Sequence, residues 1–175
     1  MRDDLIIRRE TPADAGAVLD LIDAAFPTPD GGERALEVGL VQELRADGDV
    51  VADLTFVAEV EGEVVGQVTC SRGTLAGRDS VGLGPIAVRP DLQRGGIGGA
   101  LMAAVIATAE SLAEPVIVLL GDPDYYGHFG FVPAAGLGIA SPDPAWGPHF
   151  MAKPLRAWAP ERAGAFRYAA AFDRL

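Results

Sequence analysis

A glycine-rich loop between an apolar strand and an alanine-rich helix limits the possible folds of this sequence more than any other feature. The predicted strand covers Val81–Val88, and the helix runs from Gly98 to about Leu112. A second strand, Val116–Leu120, follows the helix, and all of its residues are apolar, which is typical of a strand covered on both faces. Strand, loop, helix and strand in this order predict a β-loop-α-β unit in the middle of the chain.

Further elements are predicted on both sides of this unit. Pro85 has no amide hydrogen for a strand ladder, so we expect the central strand to bulge or splay there. A loop is predicted near 73–80, just before the central strand. The other predicted elements are a strand over 5–9, a helix beginning at Thr11-Pro12, a helix over 33–45, a hairpin of 54–60 with 64–70, and strands near 150–155 and 165–171. The length of 175 residues suits one domain, residues 1–175.

The charge of the chain is uneven. Residues 1–63 hold 16 of the 25 acidic residues and 5 of the 14 basic residues, and the formal net charge of the whole chain is −11. An acidic protein repels nucleic acid and anionic lipid, so neither is an expected partner. The acidity instead favours a cationic partner near the first third of the chain, unless it serves only to keep the protein soluble.

Three compositional features narrow the classes of protein further. A single cysteine, Cys70, excludes an internal disulfide, and with two histidines the chain is not expected to hold a metal. The uncharged stretch Gly95–Ala109 is shorter than the ~20 residues of a membrane-spanning helix. No apolar secretory segment is visible near the N-terminus, so the cytoplasm is the expected compartment.

The loop before the alanine-rich helix is suited to binding an anion. Backbone amides from Gly95 to Gly99, together with the positive end of the helix dipole, can surround a phosphate, and Arg94 adds a positive charge. No Gly-Lys-Ser/Thr follows, so it is not a Walker A loop, and the third glycine of the dinucleotide fingerprint is missing. A tight turn without a ligand is the alternative reading.

Two motifs carry a resemblance to a known family. Gln93-Arg94-Gly95-Gly96-Ile97-Gly98 resembles the Gln/Arg-x-x-Gly-x-Gly/Ala signature of the GNAT N-acetyltransferase superfamily. Tyr126-Gly127-His128-Phe129-Gly130-Phe131 resembles that family's second hallmark, Tyr-x-x-x-Gly-Phe, and lies beyond the next strand as expected. Two motifs in this order around a β-α-β unit are much more specific than either one alone.

The resemblance implies a fold and a set of site residues. The fold is a mixed α/β (α+β) one, with a mostly antiparallel central sheet splayed between two parallel strands and flanked by helices. Acetyl-CoA is the implied co-substrate, without a metal. Its pyrophosphate is held by the loop, and its pantetheine chain pairs with the free backbone groups of the central strand. The implied binding residues are Ile86, Ala87, Val88, Gln93, Arg94, Gly95, Gly96, Ile97, Gly98 and Gly99.

Tyr126 is the implied general acid, because a phenol can hydrogen-bond or protonate the thiolate that leaves the thioester. Tyr125 is the second candidate for the general acid, because adjacent residues on a helix point in different directions. The central strand carries no acid, so a general base comes from elsewhere or is water. Candidates are Glu33, Glu37, Asp122 and His128, although each is also an ordinary surface residue. Cys70 is expected to pack as a small hydrophobic residue.

The sequence therefore predicts an enzyme that transfers an acetyl group from acetyl-CoA to a primary amine. The amine, on a small molecule or a peptide, attacks directly in a ternary complex. The alternative is a module that binds acyl-CoA without turnover. The sequence does not identify the acceptor or the acyl preference, and a homodimer through the Gly/Pro-rich C-terminal third is compatible with it.

Overall fold

A computed structural model describes residues 4–174 of the chain. Two helices follow the first strand, three strands precede the central helix, and short 3-10 turns join many of the elements. The strands are β1 Leu5–Arg9, β2 Phe56–Val60, β3 Glu63–Leu75, β4 Arg78–Val88, β5 Val116–Leu120, β6 Val132–Pro133, β7 Ile139–Ala140, β8 Phe150–Pro154 and β9 Gly164–Arg167. The α-helices are α1 Ala15–Ala25, α2 Leu36–Asp47, α3 Ile97–Ser111 and α4 Pro123–Tyr126.

The strands form one mixed, mostly antiparallel sheet. Its order is β1-β2-β3-β4-β5-β8-β6, and β9 joins the far end of β3. The central pair, β4 and β5, is parallel, because α3 crosses over between the two strands. The short β7 also pairs parallel with β9. The fold class that the two motifs imply is therefore confirmed.

The sheet is covered by helices on both faces. α3 packs on one face, where Leu101, Met102 and Val105 join the largest core cluster. α1 and α2 pack on the other face through a second apolar cluster. Gly66 on β3 lets α3 approach closely, because a Cβ there would lie 2.9 Å from Cγ2 of Ile97. This close approach fixes the first turn of α3, and the loop before it, against the sheet.

The predicted irregularity at Pro85 is confirmed as a β-bulge. Val68 of β3 pairs with Ile86 and Cys70 pairs with Leu83, so Gly84 and Pro85 together face a single residue of β3. The displaced carbonyl of Pro85 accepts a hydrogen bond of 3.1 Å from the side-chain amide of Gln67. Gln67 is fully buried. Its amide therefore satisfies a carbonyl that the bulge removes from the ladder.

Three local expectations are wrong. The loop expected near 73–80 is a two-residue turn, in which Ala76 and Gly77 both have a positive φ and β3 and β4 are longer than expected. In the predicted helix over 33–45, the leucine spacing places Leu36 on the inward face with Leu40 and Leu44. Leu36 is instead 53% exposed, because α2 begins at this residue and Val38 is buried in its place. β9 ends at Arg167, and the rest of the expected last strand is irregular or 3-10.

Candidate active site

The site lies where the two central strands separate. β4 and β5 pair only at Val81 with Ile117 and at Gly82 with Val118. Beyond these pairs, the edge of β4 that faces β5 has no neighbouring strand among residues 4–174. This wedge-shaped opening exposes backbone groups on an edge that is otherwise inside the sheet.

The ladder geometry shows which backbone groups of β4 face the opening. The amide of Arg89 donates to the carbonyl of Val65 on β3 at 2.8 Å. Along an antiparallel strand, the backbone N–H and C=O groups of one residue point towards the partner strand, and those of the next residue point away from it. Val88 and Ile86 therefore direct their amide and carbonyl groups into the opening, whereas Ala87 directs its groups towards β3. The carbonyl of Val88 already accepts a hydrogen bond from the side chain of Gln93. The amides of Ile86 and Val88 and the carbonyl of Ile86 remain for a ligand, and pairing of this strand end with pantetheine stays a prediction.

A cavity of about 530 Å³ occupies one side of the opening. Its walls combine the free edge of β4, the glycine loop and the first turn of α3 with two aromatic rings. The lining residues are Ile86, Ala87, Val88, Leu92, Gln93, Arg94, Gly96, Ile97, Gly98, Gly99, Tyr125 and Phe129. Of the predicted cofactor-binding residues, only Gly95 does not line this cavity.

The glycine loop and the first turn of α3 line this cavity with backbone that has unpaired amides. Arg94 and Gly96 both have a positive φ, of 63° and 90°, which reverses the chain just before α3. The first intrahelical hydrogen bond is donated by the amide of Ala100 to the carbonyl of Gly96. The amides of residues 97–99 thus have no helical acceptor and are available to an anion.

The loop is anchored to the strand and is covered by an aromatic ring. The side-chain amide of Gln93 donates to the carbonyl of Val88 at 3.1 Å, which ties the loop to the end of β4. The hydroxyl of Tyr125 lies over Gly98, where a Cβ would be 2.8 Å from it. Glycine at this position therefore leaves room for the Tyr125 hydroxyl against the first turn of α3.

Tyr126 lies on the other side of the same opening. Its ring packs edge-on against Tyr125 at 4.9 Å and against Phe131 at 6.0 Å between ring centroids. Burial, helped by the nearby Tyr125 and Asp122, raises the pKa of Tyr126 to about 12. The hydroxyl is therefore fully protonated near neutral pH, as a hydrogen-bond donor must be.

Tyr126 lines a second cavity of about 470 Å³. The lining residues are Phe26, Glu37, Leu40, Leu83, Gly84, Pro85, Ile86, Leu120, Tyr126, Trp146, Tyr168 and Phe172. Ile86 lines both cavities, so they meet at the free edge of β4. Trp146, Tyr168 and Phe172 were missed by sequence reasoning, because the C-terminal third carries no motif that points to this site.

The candidate bases are dispersed. Glu37 lies in the cavity with Tyr126, whereas Glu33 lines a separate hollow beside α2. Asp122 caps α4 by accepting a 2.9 Å hydrogen bond from the amide of Asp124. His128 is exposed and lines neither of the two cavities. Cys70 is completely buried in the core, and burial raises the pKa of its thiol, so it is a packing residue as expected.

Residues 4–174 contain neither a metal-binding cluster nor a membrane-spanning helix. No three His, Cys, Asp or Glu side chains in this range are grouped so that they could hold a metal ion. None of the helices in this range is long and apolar enough to cross a membrane.

Comparison with known sequences identifies the class of protein. The family model of the acetyltransferase (GNAT) domain matches residues 52–133. The uncharacterized N-acetyltransferase YhbS of Escherichia coli K12 is 32% identical over 133 residues, which are 75% of this chain and 75% of that protein. The chain belongs to the GNAT N-acetyltransferase family.

Two crystal structures resemble the whole chain. The GNAT family N-acetyltransferase YhbS of Escherichia coli in complex with CoA is 28% identical, with a TM-score of 0.86, and the match covers 98% of this chain and 93% of that one. A GNAT family acetyltransferase from Brucella melitensis in complex with acetyl-CoA is 30% identical, with a TM-score of 0.78, and the match covers 98% of this chain and 100% of that one.

Proposed function

We propose that this chain transfers an acetyl group from acetyl-CoA to a primary amine, as one domain spanning residues 1–175. The observation that carries the proposal is the meeting of two cavities at Ile86, on the unpaired edge of β4. One cavity has the anion-binding loop, and the other contains Tyr126. Two such cavities allow donor and acceptor to be bound together, so that the amine attacks directly in a ternary complex.

The features of the first cavity fit acetyl-CoA. The free amides at residues 97–99 match the charge of a pyrophosphate, and Arg94 adds a cation. The backbone groups of Ile86 and Val88 match an extended pantetheine chain, which pairs with β4 as an added strand. The two structural relatives, crystallised with CoA and acetyl-CoA, support this assignment.

Tyr126 acts as the general acid in that its hydroxyl donates a hydrogen bond to the leaving sulfur. The neutral amine attacks the thioester carbonyl, a C–N bond forms, the C–S bond breaks, and sulfur leaves with the electron pair. A coenzyme thiol has a pKa of about 8.5, as for cysteine, so the sulfur leaves as a thiolate that a hydrogen bond stabilises. The proton lost by the amine nitrogen balances the proton that the thiol finally carries.

Tyr126→Phe tests this role. We expect kcat to fall about 10²-fold, because a hydrogen bond to the developing thiolate is lost, with acetyl-CoA affinity unchanged. In the wild-type protein, kcat should not decline between about pH 8 and about pH 10, since burial keeps the Tyr126 hydroxyl protonated there. Release of thiol from acetyl-CoA over a panel of primary amines measures kcat, and calorimetry measures affinity.

Tyr125→Phe is the comparison variant. Its hydroxyl lies at the first cavity, so the change should affect KM for acetyl-CoA more than kcat. Wild-type turnover in Tyr126→Phe would assign the donor to another group. Calorimetric binding of acetyl-CoA without thiol release for any amine would instead identify the non-catalytic acyl-CoA-binding module.

A further inference from the structure

The walls of the second cavity indicate what kind of acceptor fits there. Apart from Glu37 and the backbone at Gly84, every lining residue is aliphatic, aromatic or proline. The volume of about 470 Å³ lies within the range of small-molecule sites. Leu120, at the end of β5, lines this cavity and is 47% exposed although it is a large apolar side chain. An apolar ligand would bury surface that the fold leaves open.

One side of this cavity is an aromatic wall, formed by Trp146, Tyr168 and Phe172. The ring centroids of Tyr168 and Phe172 are 4.5 Å apart, and those of Trp146 and Tyr168 are 6.2 Å apart. Tyr168 packs directly on β4, where a Cβ on Gly82 would lie 3.0 Å from its ring. Mutual packing holds the three rings in place, so they offer a preformed surface to a flat or branched apolar group.

The second cavity has one charged group in its lining, which is a carboxylate. Glu37 is the only charged residue that lines it. Other acids of the first third are engaged by arginines elsewhere: Asp20 and Asp23 with Arg34, Glu43 and Asp47 with Arg174, and Glu10 with Arg45. The strong acidity of residues 1–63 therefore does not make this cavity polyanionic. One carboxylate in an apolar setting matches one ammonium group.

We propose that the acceptor is a primary monoamine on an aromatic or branched apolar body, bound against the aromatic wall with its ammonium group beside Glu37. The proposal rests on the proposed acetyl transfer and specifies its substrate class. Ile86, shared by both cavities, places the acceptor next to the donor side of the opening. Glu37 attracts the ammonium form, which releases one proton to water before the neutral amine attacks the thioester.

The test compares primary amines that differ in the substituent on the nitrogen atom. Thiol release is measured with 2-phenylethylamine, with the diamine 1,4-diaminobutane and with the polar ethanolamine. We expect kcat/KM for 2-phenylethylamine to exceed both others at least about tenfold, because only its body fills the apolar cavity. A preference for the diamine or for ethanolamine, or equal rates, would overturn the inference and leave acetyl transfer standing.

Glu37→Gln tests the charge, with Glu33→Gln as the matched control outside the cavity. The first variant should raise KM for 2-phenylethylamine at least about tenfold without changing acetyl-CoA affinity. The second should behave as wild type. Equal KM values for the two variants would remove Glu37 from the site and overturn the inference.

A binding measurement without turnover separates the proposed acceptor class from the proposed acetyl transfer. Calorimetry with CoA-loaded protein should detect 2-phenylethylamine binding that Glu37→Gln weakens and Glu33→Gln does not. Absence of binding, together with thiol release for polar amines, would overturn the acceptor assignment alone. Absence of thiol release for every amine, while acetyl-CoA still binds, would overturn the proposed function as well.

Discussion

The ring of Tyr126 packs directly on the backbone of Gly121. A Cβ at Gly121 would lie 2.2 Å from Cε2 of that ring, which is far inside any real contact. Gly121 is itself held to His149: its amide donates to the carbonyl of His149 at 2.9 Å, and its carbonyl accepts from Nδ1 of His149 at 3.1 Å. The position of the Tyr126 hydroxyl thus depends on Gly121, which the hydrogen bonds to His149 hold in place and which has no side chain to displace the ring.

Gly121→Ala should lower kcat about tenfold or more, because the added methyl group displaces the Tyr126 ring from the opening. Acetyl-CoA affinity should hold, since Gly121 does not line the first cavity. Steady-state kinetics give kcat, and calorimetry gives the affinity. Gly127→Ala is the matched control, because a Cβ there meets nothing within 4 Å. Equal loss of kcat in both variants would show that Gly121 does not position the ring.

At the scale of elements, the start of α3 is what makes the loop a candidate anion site. Gly98 and Gly99 lie in its first turn and line the first cavity. Gly96 precedes them with a φ of 90°, so a side chain at Gly96 is strained whatever the space around it. A substitution at Gly99 avoids that strain, since its nearest contact would be Phe129 at 3.9 Å.

Gly99→Glu should weaken acetyl-CoA binding at least about tenfold, because a carboxylate in the first turn of α3 opposes a pyrophosphate. Gly16→Glu is the control: it places the same side chain in the first turn of α1, where a Cβ meets nothing within 4 Å. Calorimetric titration with acetyl-CoA distinguishes the variants. Undiminished affinity in Gly99→Glu would show that the diphosphate does not bind at this helix end.

At the scale of the whole molecule, the acidic first third is tied together by arginines. Arg8 on β1 forms two 2.8 Å hydrogen bonds with the carboxylate of Asp14 and also pairs with Glu59 on β2. Asp14 further accepts from the amide and hydroxyl of Thr11, each at 2.8 Å. The Arg8 guanidinium and these bonds hold the pKa of Asp14 well below its ordinary value.

Asp14→Asn should lower the free energy of unfolding by about 2 kcal/mol at neutral pH, because charge-assisted hydrogen bonds are lost. A lowered pKa in the folded state stabilises the protein above the unfolded value, and this stabilisation is lost as the pH falls below about 4. The variant and the wild type should therefore converge in acid, as urea denaturation at several pH values can show. Asp20→Asn, an exposed acid on α1, should cost less than about 0.5 kcal/mol. A constant difference at all pH values would contradict the linkage.

The sequence predicts the central β-loop-α-β unit and the bulge at Pro85 because these depend on local properties. Apolar periodicity, the four glycines of the loop and the missing amide of proline act within a few residues of one another. The limits of the hairpin β3–β4 were not predicted, because its turn places Ala76, which is not a glycine, at a positive φ. The inward face of α2 was misplaced at Leu36, because the amide of Ala35, just before the helix, donates to the carboxylate of Asp23 on α1 and helps to set where α2 begins.

What the sequence by itself determined is therefore the family. It also predicted the donor side of the site, since the residues proposed to bind the coenzyme follow one another along a single loop and strand end. Only the tertiary structure decided the acceptor side. Glu37, Leu120, Trp146 and Tyr168 come from four distant segments and meet around Tyr126. No local sequence pattern predicts that these four residues lie close together, because their proximity results from how the helices and the C-terminal segment pack on the splayed sheet.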